Sequence, residues 1–143
     1  SAWNRYTAPM MQTVVAGGDP STEMRRVHDG CRRIVDTLLT SICPGVTFDQ
    51  AAQNAEKALQ PLAGKVFFSG VFGYTVGAQF PPSWVEGSGF IARGGNVEFR
   101  PGMVFHLPIC LRIPGQWGIG CSETILVTDA GAEPITDNPW TLG

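Results

Sequence analysis

Apolar positions along this chain fall into two helical stripes followed by a run of short alternating segments. Met24, Val27, Cys31, Ile34, Val35, Leu38 and Ile42 recur at spacings of three and four, while Arg25, Arg26, Arg32 and Arg33 lie on the other side. That is the pattern of an amphipathic helix whose charged face meets solvent. Asp19-Pro20-Ser21-Thr22 supplies its start, with a capping side chain and a proline where a missing N–H is harmless, and Pro44-Gly45 stops it. His28 borders the stripe without a partner at metal-ligand spacing. Thr47-Phe48-Asp49-Gln50 has the form of a capping box and opens a second helix, with Phe48, Ala51, Ala52, Ala55, Ala58 and Leu59 inward and Pro61 and Gly64 at its end.

Elsewhere the period shortens toward two. Tyr6 to Val15 predicts a strand or hairpin arm, and Lys65 to Val71 a strand on its Val and Phe content. Gly87 to Asn96 is Gly-rich and reads as a loop. Met103 to Leu107 and Leu111 to Ile113 predict short strands, with Pro114-Gly115 turning the chain into Gln116 to Cys121. Glu123 to Thr128 is the clearest strand, and Asp129-Ala130-Gly131-Ala132 turns it into Glu133 to Thr136. This order predicts an α+β fold, two helices covering one face of a curved antiparallel sheet.

Composition narrows the function classes. The 143 residues are 43% hydrophobic and 15% charged, enough for one moderate core. A net charge of −2 with no basic block excludes a phosphate-tracking surface, so nucleic acid is not an expected partner. No apolar run approaches the roughly 20 residues of a membrane span, so no membrane partner is expected either. The four cysteines, Cys31, Cys43, Cys110 and Cys121, show no C-x-x-C spacing, which argues against a zinc knuckle or a disulfide framework and for a reducing cytoplasm.

One stretch, Phe72 to Glu86, concentrates costly local choices: Gly73 and Gly77 around Tyr74, then Pro81-Pro82 before Trp84 and Glu86. Glycines permit close backbone approach and prolines stiffen the chain, as a pocket wall requires. The stretch resembles the G-H-G-h-G segment of the pita-bread hydrolases (methionine aminopeptidase, aminopeptidase P, prolidase, creatinase), with Tyr74 in place of the His. Arg100-Pro-Gly-Met-Val-Phe-His-Leu-Pro is similar to that family's L-x-P-G-M-V-F-T-I-E-P, and Ser122 to Thr136 to its closing E-D-T-V-L-V-T-x-x-G-x-E-x-L-T. The resemblance implies a pita-bread fold, with residues 1–143 forming the C-terminal part of one catalytic domain whose upstream part is absent.

The metal-dependent branch of the family holds two divalent ions through two Asp, one His and two Glu. Here the corresponding positions carry no Asp before Asp19, then Tyr74, Pro108 and Ser122, so no metal ligand and no cofactor are expected; the alternative is two divalent ions held by upstream residues. The chain is most similar to the metal-independent ectoine hydrolase and creatinase subgroup. That resemblance rests on Arg5-Tyr6-Thr7-Ala8-Pro9, Gly73 to Gly77, Phe80-Pro81-Pro82-Ser83-Trp84 through Glu86, Phe105-His106, and Gly118 to Thr124. Thr7 and Ser83 stand where the subgroup has His and Asp.

The implied activity is hydrolysis of a C–N bond in a small nitrogenous molecule, the alternatives being an Xaa-Pro dipeptidase or aminopeptidase-type metallopeptidase and a noncatalytic binding relative. Without a metal such hydrolysis needs a base for water and a donor for the leaving nitrogen. Glu86, His106 and Glu123 are the candidate catalytic residues. Tyr6, Tyr74, Trp84 and Trp117 are the candidate substrate-binding residues, an aromatic cage for a cationic or zwitterionic ligand. The expected partners are a small-molecule substrate and a second copy of the chain: Tyr6 to Val15 would leave an unpaired edge, so a homodimer is expected, and no turnover by this segment alone.

Overall fold

The structure, a computed structural model, describes residues 2–78 and 85–142, and the side chains of residues 85–88 lie outside that description. Both helices form where their stripes and caps place them. α1 spans Thr22–Ser41, with the Ser21 hydroxyl accepting from the Met24 N–H at 3.1 Å. α2 spans Phe48–Leu59 behind a complete capping box: Gln50 N–H donates to Thr47 Oγ1 at 3.2 Å, and Thr47 N–H to Gln50 Oε1 at 2.8 Å. A single 3₁₀ turn, Gln60–Leu62, follows.

The strands are β1 (Ala2–Trp3), β2 (Tyr6–Thr7), β3 (Gly73–Val76), β4 (Val85–Ile91), β5 (Val104–Ile113), β6 (Trp117–Thr128) and β7 (Gly131–Pro134). β1 and β2 form a small hairpin; the other five make one antiparallel sheet in the order β4-β3-β5-β6-β7. Directly paired residues on neighbouring strands share a face. One face therefore carries Phe105, Leu107, Ile109 and Leu111 of β5 with Ile119, Cys121, Ile125 and Val127 of β6, all buried against Val27, Cys31, Ile34, Val35 and Leu38 of α1. The opposite face carries His106, Pro108, Cys110 and Arg112 of β5 with Thr124, Ser122, Gly120 and Gly118 of β6. The helices pack on the first of these faces, and His106 stands on the second.

Four strand expectations are corrected. Lys65 to Val71 is not a strand: only Phe67 bridges, exchanging backbone bonds with Arg112 at 2.7 and 3.0 Å. The first half of the Gly-rich piece read as a loop belongs to β4, and the rest is turn and coil. Gly89 lets that strand lie against Phe48, where a Cβ would come within 2.7 Å of the ring. The two short strands around Pro108 are one continuous β5. Ser122 N–H turns away from β5 to Met11 O, so the Pro108–Ser122 pair is not hydrogen-bonded, and the missing proline N–H points to the side where β3 has already ended. Finally, of Tyr6 to Val15 only Tyr6–Thr7 is strand. The remainder is an extended arm whose Met11 O accepts from Ser122 N–H at 2.9 Å and whose Thr13 hydroxyl bonds both Gly120 N–H, at 2.8 Å, and Gly120 O, at 3.0 Å. It covers the part of the β6 edge that β7 does not reach.

Candidate functional site

Tyr74, His106 and Thr124 form one row across β3, β5 and β6, since Tyr74 pairs with His106 and His106 with Thr124. Gly73 makes the row tight: a Cβ there would sit 2.8 Å from Leu107, 2.9 Å from Ile91 and 3.0 Å from the His106 carbonyl oxygen. The Tyr74 hydroxyl lies 2.8 Å from His106 Nδ1, with the rings nearly perpendicular at 79°. The arm crosses this row. Thr7 N–H donates to Gly77 O at the end of β3 at 3.3 Å, and two residues later Pro9 O accepts the Thr124 hydroxyl at 2.5 Å.

Under this cover His106 is only 6% exposed. Burial penalises the imidazolium and pushes the His106 pKa down to about 4, so the ring is neutral near neutral pH. Its Nε2 has no hydrogen-bond partner, and neither does the buried hydroxyl of Thr7. Such atoms are rare in folded proteins, because each orphaned buried group costs about 1–3 kcal/mol. A third orphan among the described residues is Nε2 of His28, which is buried on α1 beside the Trp140 ring, 6.3 Å between centroids.

Of the seven residues singled out from sequence, the structure brings Tyr74 and His106 together. Tyr6 lies by the same arm, 65% exposed, and borders a hollow of about 310 Å³ with Thr75, Val76 and Gly77. Trp84 and the Glu86 side chain lie outside the described residues. Glu123 and Trp117 are placed elsewhere. Glu123 pairs with Leu107 and so sits on the helix-facing side, 4% exposed. There it accepts from the Thr136 hydroxyl and, at 3.0 Å, from Asn138 N–H. Trp117 pairs with Ile113 and packs against the core; it stands seven residues along β6 from Thr124, about 24 Å at the usual rise. The sequence pattern could show neither fact, because the period of two assigns faces only once the register is known.

Sequence reasoning also missed Asn138. Its amide donates to Met11 O at 2.9 Å and Ser122 O at 3.1 Å, clamping the arm to β6. No local sequence signal pointed to it, because both partners are remote in the chain or on another strand.

A two-metal centre does not fit the described residues. The positions that would face it hold Tyr74, Pro108 and Ser122; Pro108 has no donor, and the Ser122 hydroxyl already accepts Met11 N–H at 2.6 Å. Glu123, the nearest carboxylate in sequence, faces the helices with both oxygens engaged. No group of three His, Cys, Asp or Glu among the described residues could hold an ion, and hard divalent cations require several oxygen ligands.

A sequence profile described as metallopeptidase family M24 matches residues 1–129. The ectoine hydrolase of Halomonas elongata is 30% identical over 143 residues, covering 98% of this chain and 34% of its own length. Dipeptidase PepE from Mycobacterium ulcerans superposes with a TM-score of 0.76 at 26% identity, over 87% of this chain and 32% of that one. The prolidase from Pyrococcus horikoshii superposes with a TM-score of 0.84 at 21% identity, over 97% of this chain and 38% of that one, a likeness of fold. The chain spans about a third of the length of the curated relatives it matches.

Proposed function

Because the chain belongs to metallopeptidase family M24, a hydrolase family with the pita-bread fold, we propose that it forms part of a hydrolase that cleaves a C–N bond of a small ectoine- or creatine-like compound without a two-metal centre. The single observation that carries this reading is the row under the arm. It presents a buried neutral imidazole whose Nε2 has no hydrogen-bond partner and whose Nδ1 meets the Tyr74 hydroxyl, and no group of three potential metal ligands stands among the described residues. The similarity to an ectoine hydrolase over nearly the whole chain supports the substrate class.

In this reaction water adds to the carbon of the C–N bond, giving up one proton to a base, and the nitrogen leaves after taking a proton. Glu86, on β4, is the proposed base. Neutral His106 hydrogen-bonds the substrate oxygen, Glu86 passes the proton it took from water to the leaving nitrogen, and Tyr6, Tyr74 and Trp84 are the proposed aromatic contacts to the substrate. Glu123 and Trp117 take no part. A cytoplasmic setting belongs to the same reading, supported by four unpaired thiols.

The likeness of fold to prolidases favours a second reading, an Xaa-Pro dipeptidase whose metal ligands lie outside this chain. Hydrolysis of ectoine, creatine and an Xaa-Pro dipeptide by the protein, each with and without chelator, separates the two. Chelator-resistant cleavage of a cyclic amidine or guanidino compound is expected, and chelator-sensitive cleavage of the dipeptide alone would replace this reading with the second.

A further inference from the structure

On the sheet face away from the helices, Gly118 and Gly120 of β6 pair with Arg112 and Cys110 of β5. The missing side chains make room for their neighbours. A Cβ at Gly118 would come within 3.2 Å of Arg112 Cγ, and one at Gly120 within 2.8 Å of Met11 Sδ. The aliphatic stem of Arg112 therefore lies over Gly118, and the Met11 thioether of the arm lies over Gly120, 3.8 Å from Cys110 Sγ. These groups, with residues 114–116 of the β5–β6 turn, line a hollow of about 610 Å³, within the size range of small-molecule sites.

Among the residues that line the hollow, Arg112 is the one that carries a charge. Its guanidinium is in no ion pair among the described residues. Burial holds the Cys110 thiol in its protonated form, outweighing the pull of the Arg112 charge, so no thiolate neutralises the cation. The polar side chains of the arm are already engaged, the Gln12 amide with Thr141 and the Thr13 hydroxyl with Gly120. We propose that this hollow binds a small organic anion, with its carboxylate on the Arg112 guanidinium and a flat apolar body against the sulfurs of Met11 and Cys110. A guanidinium meets a carboxylate through two parallel N–H bonds, and polarisable sulfur packs well against an aromatic ring. Gly118 sets the reach of the guanidinium by letting the stem lie close to the strand. Six residues of β5 separate Arg112 from His106, about 20 Å at the usual rise, so the site is distinct from the row under the arm.

The test is an amide NMR titration of the folded protein with sodium 2-naphthoate, and with 2-naphthylmethanol as its uncharged counterpart. Naphthoate is expected to give saturable shifts centred on Met11, Cys110, Gly118 and Gly120. Arg112→Gln, an exposed substitution that should leave the backbone spectrum otherwise intact, weakens naphthoate binding at least tenfold. The alcohol binds the parent protein no better than naphthoate binds Arg112→Gln. Gly118→Ala, which pushes the Arg112 stem aside while keeping its charge, also weakens naphthoate. No saturable shift, or shifts centred on another arginine, overturns the proposal. Equal naphthoate binding by the parent and Arg112→Gln, or equal binding of acid and alcohol by the parent, overturns it as well. None of these readings involves turnover, so a protein that cleaves no C–N bond would refute the proposed reaction and leave this site standing.

Discussion

Replacing Glu123 by alanine removes the acceptor of two donors that hold the C-terminal segment to β6, the Thr136 hydroxyl and Asn138 N–H. Glu123 is 4% exposed, so water cannot readily take its place. Hydrogen bonds to a charged group contribute roughly 1.5–3 kcal/mol each, and Asn138 N–H would be left buried and unpaired. The loss should be about 3–5 kcal/mol, or on the order of 10 °C in Tm for a domain of this size. Glu123→Gln should cost less, about 1–2 kcal/mol. Its Oε1 can still accept Asn138 N–H, but its amide group meets Thr136, whose Oγ1 also accepts Thr124 N–H at 2.8 Å, and the hydroxyl proton loses its acceptor. Urea denaturation of the two variants against the parent reads these values. A Glu123→Ala protein within 1 kcal/mol of the parent would refute the placement of this carboxylate, and one that loses all hydrolytic activity at full stability would return Glu123 to the reacting groups.

Gly73→Ala should destabilise by about 2–3 kcal/mol by overpacking, because its Cβ meets the His106 carbonyl as well as two core side chains; an unchanged urea midpoint contradicts the tight row. Gly120→Ala should cost less, about 1 kcal/mol, since its Cβ meets the flexible Met11 thioether at 2.8 Å, and a loss as large as that of Gly73→Ala would show the arm to be rigid there. The depressed His106 pKa makes the unfolded chain bind the extra proton between the ordinary value of 6.5 and about 4. Stability is therefore full above pH 6.5 and falls by about 3 kcal/mol as pH drops through that window; His106→Gln should flatten this dependence, and an unaltered slope would contradict it. Trp3, Tyr6, Met10 and Val14 are exposed along the arm, and light scattering is expected to find a homodimer burying them, a strictly monomeric species at micromolar concentration being the contrary result.

The helices were legible because their information is local: stripe, cap and stop lie within about 20 residues, and Ser21 and the Thr47–Gln50 box do what their side chains suggest. β4 was not, since Gly89 serves a contact with Phe48 that only the fold creates, and Pro108 looked like a strand breaker although its missing N–H faces the side where β3 has ended. Of the site, the residues could be read but not their faces. His106 and Tyr74 were recognisable as chemistry, whereas the separation of Glu123 from His106 depends on a one-residue step along β6 that moves a side chain through the sheet. The clamp formed by Asn138 joins residues more than a hundred positions apart, beyond the reach of any local pattern.

The proposed hydrolysis runs without a pair of divalent ions. Elemental analysis of the protein, purified without chelator and then equilibrated with manganese, cobalt and zinc before desalting, tests it most directly. No stoichiometric ion should be retained, and cleavage of the C–N substrate should be unaffected by its absence. Tight retention of two ions per chain, with activity that follows their removal and return, would contradict it.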